Sequence, residues 1–145
     1  MSENILVLNA GSSSIKFSVY VSDPLSGLEL VFRGLMEGVP FAPHFVVKSP
    51  DDSLLAEKKW EKGSSPGFAA LLGDLIQWIE NHLGGNALKA AGHRVVLGGR
   101  RYQAPVLVDN DVLGTLESYI PLVPLHQPHN LEPIRTLADL HPNLH

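Results

Sequence analysis

Three segments carry residue types that could do chemistry. The first is Asn9-Ala10-Gly11-Ser12-Ser13-Ser14-Ile15-Lys16. Gly11 lets the backbone approach a ligand closely. Ser12 and Ser14 offer donors to an anion, as do the backbone amides of such a turn. Lys16, two residues past Ser14, adds a positive charge on the same strand face. Asn9 ends an apolar run and offers a carbonyl suited to a hard cation such as magnesium, or to a water bound to one. Taken alone, the segment reads first as a plain serine-rich hairpin, because Gly-Ser turns are common. It is not a Walker A loop: no Gly-Lys-Ser/Thr is present, and a strand rather than a helix follows.

The second segment is Gly92-His93-Arg94-Val95-Val96-Leu97-Gly98-Gly99. It puts Arg94 at the end of an apolar strand, just before a glycine loop. A guanidinium there can grip a carboxylate or phosphate with two parallel hydrogen bonds. A surface ion pair is an equally weighted reading of Arg94 alone. Val96, two residues on, shares its strand face and offers an apolar wall. His93 reads as a histidine satisfied in the core. The third segment, Pro121-Leu122-Val123-Pro124-Leu125-His126-Gln127-Pro128-His129-Asn130, is a loop fixed by its prolines. It presents His126 with little freedom, so the ring could donate to a transferring phosphoryl group. Leu125 could border a small hydrophobic pocket. On its own, this segment reads rather as a rigid loop with a structural histidine.

The elements that must position these segments follow from periodicity. Ile5 to Leu8 is a wholly apolar buried strand. Ile15 to Val21 alternates, so it is a strand with one buried face. Leu28 to Met36 has β-type composition, and the first three strands read as an antiparallel meander. His44 to Lys48 and Ser53 to Lys59 are weaker strands. Ser65 and Pro66 predict a helix start, as N-cap and first helical residue. Phe68, Leu71, Leu72, Leu75, Ile79 and Leu83 fall on one helical face, and Gly84-Gly85 ends that helix. Ala87 to Val96 reads as a strand that closes a β…αβ unit. A helix over Asp109 to Tyr119 is capped by Asp109. A last helix over Leu131 to Leu140 is capped by Asn130, with Pro133 in its first turn. Trp60 and Trp78 read as packing residues, and Asp51-Asp52 as a solvated turn.

Composition narrows the classes. The 145 residues are 44% hydrophobic, enough for a core, and carry a net charge of -4. There is no basic run and so no electrostatic footprint for nucleic acid. The absence of cysteine excludes disulfides, zinc-thiolate sites and a cysteine nucleophile. No apolar run reaches the ~20 residues of a membrane span, and Met1-Ser2-Glu3-Asn4 lacks a basic n-region. Cytoplasm is the expected compartment.

In combination the three segments resemble the acetate and propionate kinase family. That family opens with Asn-Ala-Gly-Ser-Ser-Ser-x-Lys, here Asn9 to Lys16. It continues with Gly-His-Arg-Val-Val-His-Gly-Gly, here Gly92 to Gly99, and Pro-Leu-His-Asn-Pro-x-Asn, here Pro124 to Asn130. Leu97 stands where the family usually has histidine, and Gln127 where it usually has asparagine. The resemblance implies an α/β fold with the ribonuclease-H-like core of acetate and sugar kinases, Hsp70 and actin. It implies transfer of the ATP γ-phosphoryl to acetate, giving acetyl phosphate and ADP, with magnesium. Asn9 would help hold the magnesium; Ser12, Ser14 and Lys16 would contact nucleotide phosphates. Arg94 would bind the carboxylate and the transferring phosphoryl, Val96 and Leu125 would line the methyl pocket, and His126 would contact the phosphoryl in flight. Propionate as substrate and a non-catalytic phosphate-binding relative are the alternatives. Family members are much longer, with a catalytic aspartate in a Phe-Asp-Thr segment beyond the last motif. Residues 1–145 are therefore expected to be an incomplete amino-terminal domain, inactive alone. The nucleotide-binding domain and most of a homodimer interface would lie downstream.

Overall fold

The computed structural model describes residues 3–39, 41–63, 67–84 and 87–145. Strands β1 (Glu3–Ala10), β2 (Ser14–Asp23), β3 (Gly27–Glu37), β4 (His44–Lys48), β5 (Leu54–Lys59) and β6 (Leu88–His93) form one sheet in the order β5-β4-β3-β2-β1-β6. β1 to β5 are an antiparallel meander, and β6 pairs parallel to β1. A parallel return needs a crossover, and helix α1 (Phe68–Asn81) supplies it. The meander and the β…αβ unit stand as expected. β6 ends at His93 rather than Val96: the Arg94 amide makes one more ladder bond, to Leu8, and the Val96 amide bonds the Asn130 side chain instead.

Alternation sorts the side chains. Leu6, Leu8 and Ala10 of β1 and Ile15, Phe17 and Val19 of β2 are buried on one face. Leu71, Leu72, Leu75, Ile76 and Ile79 of α1 cover that face in a single core. Trp78 packs edge-on against Phe32 and Phe45, at 5.3 and 5.9 Å between ring centroids, so it is a packing residue. The expected N-cap Ser65 and Pro66 lie outside the described residues, as does Gly85; α1 follows Gly67, which makes no side-chain cap bond. Gly84 has φ +64°, a backbone that suits glycine past a helix end.

Helix α2 (Asn110–Ser118) is capped as expected: the Asp109 carboxylate accepts the Val112 amide at 2.8 Å. Helix α3 (Gln127–Leu140) differs from expectation. It begins four residues early, with Pro128 in its first turn, where a missing N–H costs nothing. Pro133 therefore lies inside the helix rather than in its first turn. Asn130 is not the cap: it is 5% exposed, and its carboxamide is committed to tertiary bonds. Leu131 and Ile134 of α3 pack with Val112 and Leu116 of α2 in a second core, while Leu137 joins the first. α3 thus ties the helical pair to the sheet.

Candidate active site

The carboxyl ends of β1 and β6 lie side by side, the usual place for a ligand in an open α/β sheet. Leu8 pairs with His93, and the Arg94 amide donates to the Leu8 carbonyl at 3.1 Å, one rung past the end of β6. Side chains alternate along a strand, so Arg94 joins Asn9 on the face away from the α1 core. Asn9 in turn pairs with Lys16 of β2. Lys16, Asn9 and Arg94 thus form a row across three neighbouring strands. At ~4.8 Å per strand, the outer backbones are roughly 10 Å apart. All three residues are exposed. Among the described residues neither cation has an ion-pair partner. Two uncompensated cations flanking an amide carbonyl make a site for an anion.

The serine turn borders this row. The Gly11 amide donates to the Ser14 carbonyl at 2.9 Å and closes the turn. The Val39 amide donates to the Ser13 carbonyl at 3.1 Å and pins the turn to the loop after β3. Ser12 is exposed and Ser14 half-buried. A cavity of about 160 Å³ opens beside the turn, lined by Gly11, Ser12 and Ser14 with Phe68, His129 and Glu132. His129, which carries no role in the sequence motifs, therefore stands next to the serines.

Arg94, Val96, Leu125 and His126 all present to solvent, with Val96 39% and Leu125 76% exposed. His126 directly precedes α3, and its carbonyl accepts the Asn130 amide at 3.1 Å. The row and the turn are therefore brought together, while the apolar residues of the expected methyl pocket stand open.

Sequence reasoning missed the residues that join the three segments. Asn130 Nδ2 donates to the Ala10 carbonyl, and its Oδ1 accepts the Val96 amide, each at 2.9 Å. Gln127, fully buried, donates from Nε2 to the carbonyls of Leu97 at 2.9 Å and Leu116 at 3.1 Å. Its Oε1 is buried without a partner among the described residues. The one available signal was the i, i+3 spacing of two amides beside a histidine, which a cap explains as well.

His93 is on the opposite face, and here the expectation is corrected. Its Nδ1 is enclosed with no hydrogen-bond partner among the described residues, so it is not a satisfied core histidine. Burial lowers its pKa to about 4, which keeps it neutral at pH 7. It lines a cavity of about 500 Å³ between β6, residues 102–108 and α3, away from Asn9, Lys16 and Arg94. Asp51 behaves as a turn residue: hydrogen bonds from Ser49 and Ser53 lower its pKa to about 2.

Among the described residues, no group of three or more His, Cys, Asp or Glu could hold a metal ion. The exposed Asn9 carbonyl is a single hard oxygen at the row's centre, which suits an ion held mainly by phosphates and water.

The sequence model of the Acetokinase family matches residues 4–145. The chain belongs to that family. Acetate kinase of Rhodopseudomonas palustris (strain TIE-1) is 42% identical over 146 residues, covering 99% of this chain and 36% of the relative. A propionate kinase structure from Francisella tularensis subsp. tularensis SCHU S4 superposes with a TM-score of 0.78 at 31% identity, over 98% of this chain and 35% of that one. The acetate kinase of Porphyromonas gingivalis gives a TM-score of 0.79 at 25% identity. The chain spans about a third of the length of the relatives it matches. The six-stranded sheet with its crossover helix is the actin-like ATPase fold shared by those kinases. No helix among the described residues is long and apolar enough to cross a membrane.

Proposed function

We propose that this chain supplies the acid- and phosphate-binding part of an acetate kinase, whose nucleotide-binding remainder is further polypeptide. The row Lys16, Asn9, Arg94 beside the serine turn carries the proposal. Phosphoryl transfer asks for positioning and charge neutralisation more than for covalent chemistry. Ser12, Ser14 and Lys16 hold nucleotide phosphates on the β2 side. Arg94 holds the acetate carboxylate and then the transferring phosphoryl on the β6 side. Val96 and Leu125 border the acid's methyl group, and His126 donates to the phosphoryl oxygens. Asn9 takes part in holding magnesium, directly or through a bound water. Magnesium, when bound, neutralises charge on the phosphate oxygens. The compartment is the cytoplasm, and the complete enzyme pairs as a homodimer through its remaining domain.

The experiment is hydroxamate trapping of acetyl phosphate from acetate, ATP and magnesium. The complete enzyme, with this chain joined to the remainder, turns over; the purified 145-residue chain does not. Equal turnover by the chain alone would refute the division of labour. No product from the complete enzyme would refute the activity.

A further inference from the structure

A parallel ladder gains bonds evenly along its strands, with like donors two residues apart. The Arg94 amide bonds the Leu8 carbonyl. The next rung would join the Val96 amide to the Ala10 carbonyl, two residues on along both strands. That rung is replaced. The Asn130 carboxamide stands between the two groups, accepting from Val96 on one side and donating to Ala10 on the other, each at 2.9 Å. A carboxamide carries one acceptor and one amide donor group, as a peptide unit does. Two bonds in series thus take the place of one. The strand ends are held apart by the width of a side-chain amide, where Arg94 and Asn9 stand side by side. α3, which supplies the amide, also fixes the Leu97 carbonyl through Gln127.

We propose that Asn130 is a positioning residue, a wedge that sets the gap between the serine turn and the arginine-bearing strand end. On the kinase reading, on which this rests, the gap fixes the distance between the nucleotide phosphates and the acid. Loss of the wedge's two bonds frays the strand ends and lets Arg94 move relative to the turn. A misplacement of about 1 Å costs on the order of 100-fold in rate.

The test uses the complete enzyme with Asn130→Asp and Asn130→Leu. The aspartate keeps the acceptor for Val96 and loses the donor to Ala10; the leucine fills the same space without either bond. Unchanged hydrogen-exchange protection of the Leu6 and Val19 amides establishes that a variant is folded. Each folded variant should lose about 100-fold in kcat, with KM for acetate and ATP within about threefold. A kcat loss under about tenfold, or a rise in KM with kcat unchanged, overturns the proposal. If Asn130→Leu does not fold, Asn130→Asp decides alone. If the wild-type enzyme makes no acetyl phosphate, the kinase reading fails and exchange at the Val96 amide decides the wedge. Protection lost in Asn130→Leu supports it, and protection retained overturns it.

Discussion

Asn9 and Lys16 stand directly opposite each other across the β1–β2 ladder, and Arg94 extends their row onto the end of β6. Because all three lie on the face away from the α1 core, their side chains are free of packing duties. Lys16→Met should therefore leave the thermal midpoint nearly unchanged, since exposed substitutions usually act within about 0.5 kcal/mol. In the complete enzyme it should raise KM for ATP roughly tenfold or more, through the loss of a charge-assisted bond of ~1.5–3 kcal/mol. Steady-state kinetics against ATP at saturating acetate read this out.

Arg94 faces solvent and has no ion-pair partner among the described residues, so Arg94→Ala should also spare stability. Its expected cost falls on kcat, by roughly 100- to 1000-fold, because a donor aimed at developing charge is removed. Arg94→Lys should recover little, since a point charge cannot reproduce a two-bond grip. A near-normal kcat in Arg94→Ala would take the residue out of the mechanism.

His93 makes stability depend on pH. Its pKa is about 4 in the folded chain against an ordinary 6.5. Between those values the unfolded chain binds a proton that the folded one refuses, so stability falls as pH drops from 6.5 to 4. The loss is at most about 3 kcal/mol at 1.36 kcal/mol per pH unit. Asp51 acts below that window, its stabilising charge being lost as pH falls toward about 2. Urea midpoints from pH 7 to 4 should decline in the wild type and flatten in His93→Gln.

The glycine loop after Arg94 has no room for side chains. A Cβ at Gly98 would lie 2.2 Å from the Tyr102 carbonyl oxygen, which is backbone and cannot swing aside. At Gly99, with φ +64°, it would meet the Tyr119 ring at 2.6 Å. Gly98→Ala should cost about 1–3 kcal/mol, as overpacking does. It should also lower activity of the complete enzyme, because the same loop carries the Val96 and Leu97 anchors. Thermal melts beside kinetics separate the two effects.

Gln127→Asn, the residue the family motif favours, shortens the reach toward the Leu97 and Leu116 carbonyls. Leaving buried acceptors unpaired costs about 1–3 kcal/mol. For a domain of 100 to 200 residues, that is a fall of several degrees in thermal midpoint by calorimetry. An unchanged midpoint would show that Gln127 contributes no net stability.

Local patterning was enough for the meander, for the α1 face of Leu71, Leu72, Leu75 and Ile79, and for the Asp109 cap. Each depends on residues within a few positions of one another, where periodicity and turn chemistry act directly. The motif residues Asn9, Lys16 and Arg94 were equally legible as types. Their placement in one row was not, because it depends on the registers of Leu8 with His93 and of Asn9 with Lys16. Asn130 shows the limit most clearly. By local rules it is a helix cap, yet the fold commits its amide to Ala10, 120 residues away in the chain. A buried amide must find partners wherever the tertiary structure leaves a carbonyl and an N–H unpaired. Those partners exist only once β1, β6 and α3 have met.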